Sequence, residues 1–405
     1  MSSKDGSWKT VRFGDVVRSV NDRASVESSS TRRVGLEHLD RSSLMVSEWD
    51  ESGTGSSFTR FFKPGQTLFG KRRTYQRKSG YVEFEGVCSG DVLVFEAKNN
   101  YVAPEYLPLI VRSEEFHRLT LKTSVGSLSP RTNWKALAKY EFALPPLHEQ
   151  RRIADLLWSF ERAAQAKANA LEAARQAELA ALAELYDVPE WPVRRVAEAG
   201  DVQLGMKREP SVHKGADLRP YLRVANVGDD ELFLDDVLEM NFAPAAFTKY
   251  VLRPNDVLLN EGQSLEYVGR AAMYRGEIEG CCFQMTLLRF RAGDEVLPEF
   301  ALGWFRRCQR LGAFARVAKR TTSMAHLPAG LLSAQPIPVP PLSVQQRVVE
   351  QLEAARELRT TVAADLAQTR SLMQRTLNVL LQGSQPVGGP TDGLRSLGVA
   401  GRNME

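Results

Sequence analysis

Residues 145–157 read PPLHEQRRIADLL, and residues 340–352 read PPLSVQQRVVEQL. At an offset of 195 residues, Pro145/Pro340, Pro146/Pro341, Leu147/Leu342, Gln150/Gln345, Arg152/Arg347 and Leu157/Leu352 are identical. Ile153/Val348 and Asp155/Glu350 keep their chemical type. Neither stretch is low-complexity, so the chain is written twice. The repeat reaches backward more faintly: WKTVR (8–12) opens the first copy and WPVRR (191–195) the second. FFKPGQTLF (61–69) corresponds to VLRPNDVLL (251–259), and GVCSGDVLVF (86–95) to GCCFQMTLLRF (280–290).

Each repeated segment leads into a long helix. From His148 to about Tyr186 there is neither Pro nor Gly, and Ala, Leu, Glu, Gln and Arg dominate. Alternating steps of four and three from Ile153 meet Leu157, Phe160, Ala164, Lys167, Leu171, Ala174, Glu178, Ala181 and Leu185. The same steps from Val348 meet Leu352, Ala355, Arg359, Val362, Leu366, Thr369, Met373, Thr376 and Leu380. Two heptad seams in one register predict an antiparallel coiled coil of rods roughly 50 Å long. Lys167, Glu178 and Arg359 interrupt the seams. The alternative is that each helix covers the globular part beside it.

The globular parts read as mixed α/β. Strands are expected at 66–70, 80–85, 91–96, 221–227, 256–260, 269–274 and 283–290, with helices at 104–112, 115–124 and 298–319. The segment 383–405, rich in Gly, Pro and Ser, is expected to be a flexible tail. The expected divisions are 1–144, a helical spacer 145–187, a second domain 188–338, a second spacer 339–382 and the tail.

At 405 residues the chain can bury two cores, and 43% hydrophobic with 25% charged residues excludes a disordered protein. A net charge of +4 permits a nucleic-acid partner without demanding one. Cys88, Cys281, Cys282 and Cys308 have neither zinc-ligand spacing nor a disulfide framework, and read as small buried thiols. A polar start and the lack of any run of 18 apolar residues point to a cytoplasmic protein with no membrane span.

Charge concentrates in KRRTYQRK, which holds Lys71, Arg72, Arg73, Tyr75, Arg77 and Lys78, with Arg131 and Lys135 as a second group. Such a loop can meet phosphates and reach base edges. In the second copy Arg306, Arg307, Arg310, Arg316, Lys319 and Arg320 can share a helical face, followed by Thr321 and Thr322. Asn260, Gln263 and Ser264 follow a strand and can read bases. Chemistry is missing: there is no Asn/Asp-Pro-Pro-Tyr/Phe tetrapeptide, no phosphate-cradling glycine loop and no His-Glu-x-x-His. No catalytic or metal-binding residue is assigned. Carboxylate pairs such as Glu83 with Glu85 are ordinary surface features.

Two α/β parts, each closed by P-P-L-x-x-Q-x-R-[IV] and a long helix, resemble the specificity subunits of type I restriction–modification systems over residues 6–382. The openings W-x-x-x-x-F/V at Trp8 and Trp191 resemble the family too, while Val344 stands where the first copy has Glu149. The resemblance implies two target recognition domains, each reading one half of an asymmetric bipartite site in double-stranded DNA. It implies that the helices act as a spacer and dock two methyltransferase subunits, with two restriction/motor subunits completing the enzyme. The chain itself would need no cofactor; S-adenosylmethionine, ATP and Mg2+ belong to those partners. A coiled-coil scaffold joining two domains that bind no DNA is the alternative.

Overall fold

A computed structural model of the chain describes residues 8–23, 32–51, 58, 60–98, 100–208, 215–322 and 324–382. The expected tail and His213 lie outside the described residues. Contacts divide the chain into two compact units, Met1–Ala168 with Ala364–Glu405, and Asn169–Ala363.

In unit one, β1 (Lys9–Arg12), α1 (Phe13–Val16), β2 (Val17–Val20), β3 (Arg33–Val34), β4 (Arg60–Phe62), β5 (Thr67–Gly70), β6 (Ser79–Tyr81), β7 (Gly86–Cys88) and β8 (Val92–Ala97) come first. Then follow α2 (Leu107–Arg112), α3 (Glu114–Lys122), α4 (Trp134–Leu137), β9 (Glu141–Leu144) and the long α5 (Leu147–Glu184), whose residues from Asn169 on belong to unit two. The central sheet has the order β2-β8-β5-β6, a second runs β3-β7-β4, and β1 pairs with β9. Strands β5 and β8 are apolar on both faces, and all but Glu96 are buried, because helices cover one side and the second sheet the other. Phe13, fully buried, packs against Phe95 and Phe116 with ring centroids 5.5 and 5.1 Å away.

Unit two repeats this plan. It contains β10 (Val193–Arg195), α6 (Val196–Ala199), β11 (Gly200–Leu204), β12 (Leu218–Leu222), β13 (Leu238–Asn241), α7 (Pro244–Tyr250), β14 (Asp256–Asn260), β15 (Gly262–Gln263), β16 (Ala271–Tyr274), β17 (Cys282–Phe283) and β18 (Leu287–Ala292). After these come α8 (Pro298–Arg310), α9 (Ala313–Val317), β19 (Lys319–Arg320), β20 (Ala325–His326), α10 (Ala329–Ser333), β21 (Pro336–Pro338) and α11 (Leu342–Gln382), whose residues from Ala364 on belong to unit one. The central sheet β11-β18-β14-β16 matches the first strand for strand, and β10 pairs with β21 as β1 does with β9. In the second sheets β12 lies parallel to β17 as β3 does to β7. The single bridge Val251–Cys282 stands where β4 meets β7.

Four sequence expectations change. The strand expected over 80–85 ends at Tyr81. The stretch 283–290 is two strands, parted by a turn in which Leu287 N–H donates to Gln284 C=O at 2.9 Å. The stretch 221–227 ends as a strand at Leu222 and becomes a 3-10 turn. The helix expected over 298–319 breaks at Gly312, whose φ of +71° is left-handed and closes the first helix. All four cysteines are buried and unpaired, and burial pushes each thiol up to about 12.

The repeated glutamine explains the repeated motif. Gln150 and Gln345 are fully buried. Gln150 Oε1 accepts from Ala103 N–H at 2.9 Å, and its Nε2 donates to the carbonyls of Tyr101 and Pro145, both at 2.8 Å. Gln345 does the same with Leu297 N–H and the carbonyls of Glu295 and Pro340, each at 2.8 Å. One side chain thus ties the start of a long helix to the loop before α2 or α8.

The long helices pack together, and the two expectations for them prove compatible. In unit one, Ile153, Leu157, Met373 and Leu377 are buried in the same core as Phe13 and Phe95; Phe160 and Leu380 pack at its edge. In unit two, Val348 and Leu352 join a core with Leu182, Tyr186 and Phe300. Leu366 is buried, while Leu171 and Val362 are half-buried. The interruptions are paired. Lys167 Nζ bonds Asp365 and Thr369 Oγ1, both at 2.7 Å. Glu178 Oε2 accepts from Arg359 Nε at 2.6 Å.

Gly303 lies where α8 passes α11 and the residues just after α5. A Cβ there would stand 2.2 Å from Tyr186 Oη and 2.8 Å from Leu352 Cδ1. Ala gains about 1 kcal/mol of helix propensity over Gly, but the overlap outweighs it. Gly303→Ala is expected to destabilise unit two by about 1–3 kcal/mol, read by chemical denaturation.

Candidate nucleic-acid interface

The turn after β5 is braced before it is charged. Arg72 Nη1 donates to Asp91 at 3.1 Å and its Nε to Ser129 Oγ at 2.7 Å; Arg131 bonds the other oxygen of Asp91 at 3.2 Å. Arg73 and Arg77 both have left-handed backbones, φ 53° and 54°, flanking a 3-10 turn at Thr74–Gln76. Arg77 forms two bonds to Glu114, one of 2.8 Å, and Lys78 Nζ donates to Leu36 C=O at 2.6 Å. Lys71 is half-buried, and burial, then Arg60, holds its ammonium below the usual lysine range. Arg73 is exposed and has no ion-pair partner among the described residues, and Tyr75 is 52% exposed beside it. Lys135 is exposed on α4.

The second unit assembles its candidates on one small sheet, β15-β20-β19. Gln263 pairs across to Ala325, and Ala325 to Arg320; Gly262 pairs to His326, and His326 to Lys319. The equivalent in unit one is a ladder of single bridges, Arg72 to Arg131 and Arg131 to Val125. In both units the segment before a short helix thus lies between the turn after a central strand and a third segment. Lys319, Arg320, Arg316 and Thr322 are exposed; Thr321 closes the hairpin, its N–H donating to Met324 C=O at 2.8 Å. Ser264 C=O accepts from Tyr267 N–H at 2.9 Å, making a turn next to half-buried Gln263. His326 Nδ1 lies 3.1 Å from Glu261 Oε2.

Two expectations need correction. Asn260 is not a loop residue: it ends β14 and is 1% exposed, so its amide is inside the unit. Nor do Arg306, Arg307 and Arg310 form a free basic face. Arg306 is 5% exposed and bonds Glu178 at 2.8 Å and Asp229 at 2.9 Å. Arg310 bonds Asp229 as well, and Arg307 Nε donates to Ala183 C=O at 3.2 Å. Leu311 is 48% exposed because Gly312 turns the chain.

One signal in the sequence marks these surfaces better than the densest cluster does. No Asp or Glu occurs between Glu115 and Glu141, a stretch holding Arg118, Lys122, Arg131, Lys135 and Lys139. Likewise none occurs between Glu299 and Glu350. Both stretches contain the third segment of the ladder. Elsewhere Glu37, His38 and Asp50 approach within 4.8 Å, but His38 Nδ1 accepts from Gly35 N–H and both carboxylates are exposed. This is turn chemistry.

Residues 6–177 match the family described as the type I restriction modification DNA specificity domain. Over those residues the chain matches the specificity-subunit family of type I restriction–modification systems. A putative type I restriction enzyme MjaX specificity subunit from Methanocaldococcus jannaschii is 25% identical over 44% of this chain, which spans 43% of that relative. The type I restriction enzyme MjaVIII specificity subunit of the same organism is 22% identical over 74% of both chains. The fold is shared with a chain from a structure on complex assembly and conformational transition of the type I system, with TM-score 0.61, 21% identity and 94% and 98% coverage. It is also shared with the type I S subunit from M. genitalium, with TM-score 0.55, 10% identity and the same coverage. Among the described residues no helix is long and apolar enough to cross a membrane.

Proposed function

We propose that this chain is the DNA-recognition subunit of a type I restriction–modification complex, with each unit reading one half of an asymmetric bipartite duplex site. The observation that carries the reading is the ladder repeated in both units beside exposed cations. Arg73, Arg131 and Lys135 in one unit, and Arg316, Lys319 and Arg320 in the other, would meet phosphates. Tyr75, Gln263, Ser264 and Thr322 would lie nearer the base edges. Arg72 and Arg77 brace the turn rather than bind. The chain performs no chemistry; two methyltransferase subunits would bring S-adenosylmethionine, and two restriction/motor subunits ATP and Mg2+. The place of work would be the cytoplasm.

Co-expression with the methyltransferase partner tests the reading. A particle of one such chain and two methyltransferase chains that binds duplex DNA is expected, whereas a chain that stays alone and ignores DNA overturns it. The lone subunit should bind weakly and in a salt-sensitive way, since its net charge is only +4. In the complex, Arg73→Ala should weaken binding to all sequences alike and lower the salt slope by about 1. An unchanged slope would remove Arg73 from the phosphate contacts.

A further inference from the structure

The turn between Val125 and Arg131 is closed by two backbone hydrogen bonds of 3.0 Å between those residues. Its base is held further by Arg72 on Ser129 Oγ at 2.7 Å and by Arg73 N–H on Pro130 C=O at 2.7 Å. At its apex Leu128 is 94% exposed, and Val125 is 79% exposed. Single surface leucines are common. This one differs in standing on a braced turn, inside an acid-free basic stretch, beside exposed Arg73 and Arg131. In unit two the equivalent hairpin carries Met324, 42% exposed, next to Ala325.

A duplex groove satisfies both chemistries of a leucine among cations. Phosphates flank a duplex groove and draw the arginines, while a base step opened from the groove exposes apolar base faces. Proteins that open a base step do so with Leu, Met, Phe or Ile wedges. A rigid turn loses little conformational freedom on insertion. We infer that Leu128 is an apolar wedge that enters one base step in the half-site read by unit one, with Met324 its counterpart in the other half-site. The inference rests on the DNA-reading function proposed above. An opened step would also lower the cost to a partner enzyme that must take its target base out of the stack.

The test uses the full chain in complex with its methyltransferase partner, on a duplex whose target is first mapped by sequencing the modified bases of host DNA. Permanganate reactivity and 2-aminopurine fluorescence are then scanned across both half-sites. The expected result is one unstacked step per half-site. Leu128→Ala should abolish it in the first half-site only, lower affinity by about tenfold and leave the salt slope unchanged. Met324→Ala should act on the second half-site, and Leu128→Met should keep the signal. Because Leu128 is solvated, the melting temperature of the variant should match the wild type. Tight binding by Leu128→Ala with an unaltered reactivity pattern would overturn the wedge while leaving the recognition function intact. A wild-type complex that binds no DNA would overturn both.

Discussion

Gln345→Ala should destabilise unit two by about 3 kcal/mol, and Gln150→Ala should do the same to unit one. Each glutamine is fully buried and spends both Nε2 hydrogens and its Oε1 on backbone groups. Truncation orphans one N–H and two carbonyls. Each buried orphan costs about 1–3 kcal/mol, and the small void left behind limits relief by water. Glutamate at either site should be as harmful near neutral pH, because its second oxygen would face two carbonyls and donate to neither. Asparagine is one methylene short and should rescue little. Chemical denaturation of the full chain reads the effect, and a loss below 1 kcal/mol would show that the repeated glutamine is not what fastens helix to domain.

The second large effect lies in the buried ion cluster of unit two. Glu178, 3% exposed, accepts from Arg306 at 2.8 Å and from Arg359 at 2.6 Å; Arg306 also holds Asp229, and Arg356 Nε bonds Asp230 at 3.0 Å. Glu178→Ala should cost about 3 kcal/mol, because Arg306 and Arg359 lose their shared acceptor and the buried cluster keeps only Asp229 and Asp230 against its arginines. Arg359→Ala should cost less, since its side chain is 24% exposed and water can replace part of the bond. The equivalent seam position in the second copy is Met373, so an ion cluster is not required by the seam. It instead ties one register of α5 to α11 and α8, the role in which buried polar groups act most clearly. Burial pushes the Asp229 carboxyl up, but Arg306 and Arg310 outweigh it and hold it at about 2. Its folded-state pKa is therefore depressed. The stability this contributes is present above the usual aspartate value near 3.9 and is lost as pH falls toward about 2. A stability profile of unit two that stays flat between pH 5 and 2 would count against this cluster.

Much of the architecture was legible in local pattern. The repeat, the long helices, the seam positions Ile153, Leu157, Val348 and Leu352 and the central strands 67–70 and 256–260 follow from periodicity and punctuation, which act between residues close in the chain. The marked glutamine of PPLxxQ was visible too, but two of its three partners were not, since they lie 47 to 50 residues away.

The fate of charge was decided by tertiary structure alone. Arg306 and Arg73 look alike in the sequence; one is sealed against Glu178, 128 residues distant, and the other stands free. Lys167 reads as a defect in a seam until Asp365, 198 residues on, meets it. Asn260 reads as a loop amide until β18 and β16 close over its strand. The physical reason is common to all three. Apolar burial depends on a side chain's own character and its periodic neighbours, so it is written locally. Whether an ion or amide faces water depends on a partner within about 3 Å, and only the folded chain brings that partner.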